Sequence, residues 1–545
     1  MSQSPGNGPG KILLIELTPT VPNLGRFIVM PRYGLLTIAA ILAEKTGYEV
    51  RMLFEPYVGG IDPERVASEE PRFLLVNGLT TTAGENEEFL ERFREISGGS
   101  VPVIAGGEHA TMYPEEAKRY ADYILAYEAD ETILQLLAAL EERDPISRES
   151  LLSQIPGLHY RDLSGRWRFN RDAARIRAID YRLDFTVVPG SERAASRFRT
   201  AHVPIQTSRG CRFSCTFCSW ISLYGKAGYV VRPVEDVVYD ILHTIEYTGV
   251  RNFIVTDNLF AGDVAYTEEL MHRILQAFEG RSDRPRFTVL ARADQFAGGN
   301  GALPEQTIRL LARGGVSSVS LGLESISSRS LFQMKKRAGL PEYHTAAECL
   351  RRNGIGILAT FVTGFDGDRY EDVVNISEFG HRLGLFTIQP YARAITPGTI
   401  DEVLAEHRLI PGPLNKYRNG HCVISLTAQM LPSELQQGIF EAAFRFHRMG
   451  DGKRKPALRA FQHIWAAIQP HYRALQRLER EVWIPEGIYR RNGDGYLLHE
   501  KTLQAITEDE ERYRAYADTA GRIFREEEEA ASAKAAPLRL VKSTA

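Results

Sequence analysis

The chain has 545 residues, a length that at roughly 150 residues per domain predicts about three domains. Hydrophobic residues make up 43% and charged residues 25%, which excludes a mainly disordered or collagen-like chain. Lys and Arg total 66 against 69 Asp and Glu, a net charge of −3, and that near-balance argues against a general nucleic-acid binder.

Residues 1–10 are small and polar and read as a disordered lead-in. They lack the charged-then-apolar build of a secretory signal. No segment reaches the ~18 uninterrupted apolar residues that mark a membrane span. Five cysteines exclude a disulfide-built secreted domain. These features predict a soluble, cytoplasmic protein, with peripheral membrane contact left open.

From residue 11 to 142, apolar runs alternate with helically spaced segments. KILLIEL, YEVRMLF, RFLLVNG, VPVIAGG and ADYILAY read as buried strands. GLLTIAAILAEKTG, NEEFLERFREI, PEEAKRY and DETILQLLAAL read as helices. Such alternation predicts an α/β domain, a doubly wound, Rossmann-like parallel sheet with helices on both faces. Ligands of these sheets bind at the carboxyl ends of the strands. Thr80, Thr81 and Thr82 fall there, as does the run from Gly106 to Thr111.

Residues 143–199 are polar and Arg-rich and read as a linker with a small hairpin turned at Ser164-Gly165. A second alternating series fills residues 200–400. Its strands are VPIQT, NFIVT, RFTVL, VSSVSLG, GILATF and FTIQPY. These βα units predict a partial (β/α)6 TIM-like barrel with its site at the C-terminal mouth. Residues 401–525 are mostly helical, and residues 526–545 run from a Glu block into a flexible tail.

The sharpest signal is TSRGCRFSCTFCSW, which places Cys211, Cys215 and Cys218 directly after the first barrel strand. Three soft thiolates on one loop suit an iron–sulfur cluster. Zinc would want a fourth Cys or His at a useful spacing, and the loop offers none. A 4Fe–4S cluster held by three thiolates keeps one iron open to another ligand.

This motif, with Phe217 in its aromatic place, resembles the radical S-adenosylmethionine superfamily. TDNLF (256–260), LARAD (290–294), LGLES (321–325) and FVTGFDGDRYED extend the resemblance over roughly residues 200–400. In that family the open iron chelates the methionine end of S-adenosylmethionine, and electron transfer then yields a 5′-deoxyadenosyl radical. The resemblance implies Glu324 and Ser325 near the ribose. It makes Arg292 a candidate for the cofactor's carboxylate, the alternative being a pairing with Asp294 alone. Asp257 and Asn258 become candidates for the amine or the substrate, and Gly364 a place where cofactor approaches the backbone. A small reducing donor such as flavodoxin or ferredoxin is implied as partner.

The N-terminal domain, through PRYGLLTIAAIL and VIAGGEHATMYPEEA, resembles the cobalamin-binding domain of cobalamin-dependent radical enzymes. That group includes radical methyltransferases, magnesium-protoporphyrin monomethyl ester cyclases and hopanoid methylases. The resemblance implies cobalamin contacts at Gly106, Gly107, Thr80, Thr81 and Thr82, and a turn or cofactor-edge place for His109. Two departures stand out. The cobalt-ligating Asp-x-His is missing, since the first strand ends ELTPTVPNLG, and a Gly-Glu-Gly-Glu-like segment reads AYEADE. A domain that binds nothing stays open as the alternative.

No cysteine precedes Cys211, and only Cys349 and Cys422 follow the motif. This count disfavours relatives with a second cluster. Cys349 reads as a buried small residue, and Cys422 either as the same or as exposed or catalytic. Tyr391, Tyr417 and His421 are acid–base or radical-site candidates. The helical stretch from FEAAFRF to LEREVW reads as a cap over a large apolar substrate bearing an acidic group, a membrane-touching surface, or a pair packed on the barrel.

The reaction this implies is C-methylation of an unactivated carbon in a small molecule, lipid or natural product. One S-adenosylmethionine methylates cobalt, a second gives the radical, and the substrate radical collects the methyl group. The alternatives are a non-methylating radical reaction, such as oxidative cyclisation of a tetrapyrrole, and a cobalamin- or redox-sensing regulator with a structural cluster.

Overall fold

The computed structural model describes residues 10–20, 28–171, 181–224, 228–299, 301–336, 338–394, 406–412, 420–449 and 454–540. Tyr417 and most of the lead-in lie outside them.

Five parallel strands form the centre of the first sheet: β1 (Lys11–Glu16), β2 (Glu49–Phe54), β3 (Phe73–Asn77), β4 (Val103–Gly106) and β5 (Tyr123–Leu125). Their spatial order is β2-β1-β3-β4-β5. Ile12, Leu13, Leu14 and Ile15 are all wholly buried, because helices cover both faces of the sheet. The hairpin expected in the linker is part of this sheet. Its strands β6 (Leu158–Arg161) and β7 (Trp167–Phe169) add antiparallel to β5. They pair because β5 is an open edge that an alternating strand satisfies.

The second sheet holds β8 (Val203–Ile205), β11 (Asn252–Val255), β12 (Arg286–Arg292), β13 (Val316–Glu324), β14 (Gly356–Thr363) and β15 (Thr387–Ala392), all parallel and adjacent in chain order. Between β8 and β11 a short antiparallel ribbon, β9 (Ser208–Arg209) with β10 (Val230–Val231), brackets the cysteine loop. This is the six-stranded partial barrel. Beyond it come helices Pro432–Arg448, Lys455–Ala467 and Gln469–Leu478 and a hairpin of β16 (Tyr489–Asn492) and β17 (Gly495–Leu498).

One apolar core runs from helix Tyr33–Lys45 through Phe185 and Val188 into the barrel. At its centre Arg232, with no exposed side-chain surface, donates to Asp240 (2.9 Å), to the Tyr181 carbonyl (2.7 Å) and to the Gln206 carbonyl (3.1 Å). The Tyr33 and Tyr181 hydroxyls meet at 2.7 Å. The second half of the linker is therefore a staple between the two sheets.

The Glu block at residue 526 is not a free tail. It belongs to helix Glu510–Leu540, where Glu527 accepts from Arg473 Nε at 2.9 Å and from Arg477 Nη1 at 3.3 Å. Acids that look solvated in sequence face two arginines of helix Gln469–Leu478. No helix among the described residues is long and apolar enough to cross a membrane.

Candidate active site

The cysteine loop is held by its own neighbours. Gly210 has φ +98°, and a Cβ there would meet the Gly228 carbonyl oxygen at 2.0 Å, so only glycine closes this turn. Its N–H donates to Asn258 Oδ1 at 3.3 Å. Farther along, Thr216 donates from its N–H to the Met334 carbonyl and from its hydroxyl to the Gln333 carbonyl, both at 3.2 Å.

Cys211, Cys215 and Cys218 line one cavity of about 220 Å³ with Asn258, Arg292, Glu324 and Lys336. No three His, Cys, Asp or Glu among the described residues converge on a single metal ion. Three thiols lining one cavity suit an iron–sulfur cluster. Burial raises the Cys211 thiol above its usual range and pushes that of Cys218 up to about 11, so metal binding here displaces protons.

Arg292 is buried, lies 3.8 Å over the Phe213 ring and points Nη1 at Cys215 Sγ from 4.0 Å. Nε and Nη2 grip Asp294 at 2.9 and 2.8 Å. It thus makes the Asp294 pair while still facing the cavity. Glu324 sits in the left-handed region (φ +69°) and accepts from Lys336 Nζ at 3.0 Å. A non-glycine residue held there is a strained position of the kind that clusters at functional sites. Amide, guanidinium, carboxylate and ammonium together match an amino-acid headgroup and a ribose.

Other expected residues are placed differently. Asp257 does not line the cavity. Its wholly buried carboxylate accepts from Thr207 N–H (2.7 Å), Thr207 Oγ1 (2.5 Å) and Ser208 Oγ (2.6 Å), fixing the turn before the loop. Ser325 is buried and accepts from Ser327 N–H at 3.0 Å instead of facing the cavity. Gly364 takes glycine because its φ of +101° is left-handed backbone, and it lines none of the cavities described here.

A second cavity of about 150 Å³ opens at the carboxyl ends of β3, β4 and β5. Gly34, Leu35, Ile104, Gly106, Gly107 and Ile133 are among its lining residues, with Glu128, Asp130 and Arg209. Nothing lies within 4 Å of a Cβ built on Gly34, so this is open space with largely apolar walls. It suits a flat, weakly polar group such as the base of a cobalamin tail. Gly107 lines it, but its φ of +93° and a 2.5 Å clash of a Cβ with Asn77 Oδ1 already require glycine. Arg209 reaches in from the barrel to Glu128 (2.8 Å) and Asp130 (3.1 Å). Burial raises the Glu128 carboxyl to about 7, a rise that Arg209 opposes without cancelling.

Between the two lies a third cavity of about 330 Å³. Thr80, Thr81 and Glu108 of the first sheet face Phe217, Ser219 and Tyr391 across it. Phe217 lines this cavity and the cysteine cavity alike, its ring edge-to-face with Phe365 at 6.2 Å. Thr82 instead donates to the Leu79 carbonyl at 3.3 Å. His109 is wholly buried, with Nδ1 3.0 Å from Thr80 Oγ1 and Nε2 3.5 Å from Glu116, and it lines none of the three cavities described here. His421 is wholly buried behind Tyr391, stacked on it at 5.1 Å, and burial lowers its pKa to about 4. His421 lines none of the three cavities described here. Tyr391 does face the cavity, donating to Gln389 Oε1 at 2.9 Å. Cys349 and Cys422 are both buried.

Sequence reading missed Lys336, Ser219 and the Arg209 pair, and took in Glu108 only as part of the run from Gly106 to Thr111. The Arg in TSRGC and the basic run MKKR were the available signals.

Residues 205–380 match the Radical SAM superfamily and residues 27–137 match the B12 binding domain. An uncharacterised methyltransferase of Pyrococcus horikoshii is 26% identical over 400 residues, which cover 71% of this chain and 82% of that protein. The anaerobic magnesium-protoporphyrin IX monomethyl ester cyclase of a Synechocystis strain is 24% identical over 387 residues, covering 66% and 70%. Among solved structures, the radical S-adenosylmethionine methyltransferase TsrM of Kitasatospora setae, with cobalamin and a [4Fe-4S] cluster bound, superposes with a TM-score of 0.58 at 17% identity, covering 96% of this chain and 99% of that one.

Proposed function

We propose that this chain, which matches the Radical SAM superfamily over residues 205–380 and the B12 binding domain over residues 27–137, methylates an unactivated carbon of a small molecule, lipid or natural product. The observation that carries this reading is the third cavity, walled by Thr80, Thr81 and Glu108 on the cobalamin side and by Phe217 and Tyr391 on the cluster side. A substrate bound there would lie against residues of both the cobalamin-binding and the cysteine-bearing domains. When bound, the cluster with S-adenosylmethionine supplies hydrogen abstraction, and cobalamin supplies a transferable methyl group.

The chain's own residues do the positioning. Cys211, Cys215 and Cys218 hold the iron. Arg292 and Asn258 orient the carboxylate and amine of S-adenosylmethionine, and Glu324, kept in place by Lys336, takes the ribose hydroxyls. Gly34, Gly106 and Gly107 give the cobalamin tail its slot, closed by Arg209. Phe217, Tyr391 and the apolar walls exclude water from the reacting carbon.

The test is anaerobic reconstitution with iron, sulfide and hydroxocobalamin. About four irons and one cobalamin per chain are expected, with methyl transfer from labelled S-adenosylmethionine to substrate. Iron without cobalamin would end the methylation reading. The second reading, ring closure on a tetrapyrrole, is favoured by the Synechocystis relative. It predicts a product that gains no methyl mass.

A further inference from the structure

Phe332 is 85% exposed, more than any other large hydrophobic side chain among the described residues. It closes helix Ser328–Gln333, where Arg329 lies three residues earlier and so shares its face. Lys335 follows in the left-handed region, φ +53°. Arg329 and Lys335 are exposed, and neither pairs with an acid among the described residues. Three acids of the flanking segments are engaged elsewhere: Glu324 by Lys336, Asp366 by Arg408, and Asp368 by Ser330 and the N–H groups of Gly364 and Phe365. An aromatic ring flanked by uncompensated cations therefore stands clear of the surface.

The same turn touches the cysteine loop on its inner side. The Gln333 and Met334 carbonyls accept from Thr216, which lies between Cys215 and Cys218, and Lys336 lines the cysteine cavity. One short segment thus presents Phe332 to solvent and its carbonyls to the loop that holds the iron.

We propose that Phe332, Arg329 and Lys335 form the docking face for a small acidic electron-transfer protein that reduces the cluster. The proposal rests on the radical reading above. For each S-adenosylmethionine cleaved reductively, one electron leaves the donor's reduced centre and enters at the cluster. The carbon–sulfur bond of S-adenosylmethionine breaks to give methionine and the 5′-deoxyadenosyl radical, and the donor is left oxidised by one electron. Charge complementarity chooses the partner, since cations around an aromatic anchor steer an acidic surface into place. The attraction weakens with salt, because charges are screened beyond about 8 Å at physiological ionic strength.

The experiment uses the reconstituted full chain, flavodoxin as the probe and dithionite as a reductant that needs no docking. In the double variant Arg329→Glu/Lys335→Glu, and separately in Phe332→Ala, flavodoxin binding should weaken about tenfold or more. 5′-Deoxyadenosine formation with flavodoxin should fall in step, while formation with dithionite stays within twofold of wild type. Unchanged flavodoxin affinity overturns the docking face. So does parallel loss with both reductants, or a change only in self-association of the chain. Wild-type protein that cleaves S-adenosylmethionine with neither reductant overturns the radical reading itself.

Discussion

Replacing Asp257 by Ala leaves the Thr207 N–H and the Thr207 and Ser208 hydroxyls without their buried acceptor. Hydrogen bonds to a charged group contribute about 1.5–3 kcal/mol each, so loss of a few kcal/mol in denaturant unfolding is expected, with lower iron loading. Cys211→Ala, Cys215→Ala and Cys218→Ala should each abolish cleavage of S-adenosylmethionine; retained cleavage in any one would dismiss the cluster. His421 gives a pH signature. Its folded pKa of about 4 lies below the usual 6.5, so in acid the unfolded chain gains a proton that the folded chain refuses. Its contribution is complete above pH 6.5 and is lost as pH falls towards 4, by up to about 3 kcal/mol. His421→Phe should flatten that part of the stability profile, measured by unfolding at a series of pH values. The cysteines were legible because their spacing is local. Asp257 was misread because two adjacent polar residues at a strand end look alike in sequence, and only the fold sends Asn258 into the cavity and Asp257 beneath it.

Strands were the most readable elements. The runs from KILLIEL to ADYILAY and from VPIQT to FTIQPY are short, apolar and bounded by turns, as strands of doubly covered sheets must be. Partners distant in sequence left no such trace. The order in the Glu block comes from Arg473 and Arg477. At the cysteine loop, Gly210→Ala should empty the site of iron while far-ultraviolet circular dichroism stays native, because the clash with Gly228 is confined to one turn. In helix Pro432–Arg448, Ser433 donates through N–H and Oγ to Glu479 at 2.8 and 2.7 Å. Burial lifts that carboxyl from 4.5 to about 7. Here the sign is opposite to that of His421: between pH 4.5 and 7 the unfolded chain has lost its proton first, so this contribution falls as pH rises. Glu479→Gln should remove that fall.

Across the whole molecule, the buried Arg232–Asp240 pair joins the barrel to the linker and to Tyr33. Arg232→Ala leaves an uncompensated carboxylate in the core and should cost about 3–5 kcal/mol, lowering the Tm of the chain as a whole. The two sheets share one core, so they are expected to unfold together in a single calorimetric transition. Phe217 sets a condition of a different kind. One ring is a party wall between two chambers, so whatever fills one chamber alters the room left in the other. Thermodynamic linkage makes such coupling reciprocal: if substrate changes the affinity for S-adenosylmethionine by some factor, S-adenosylmethionine changes the affinity for substrate by the same factor. A small side chain at 217 would cut that conversation and leave two tenants that no longer notice each other.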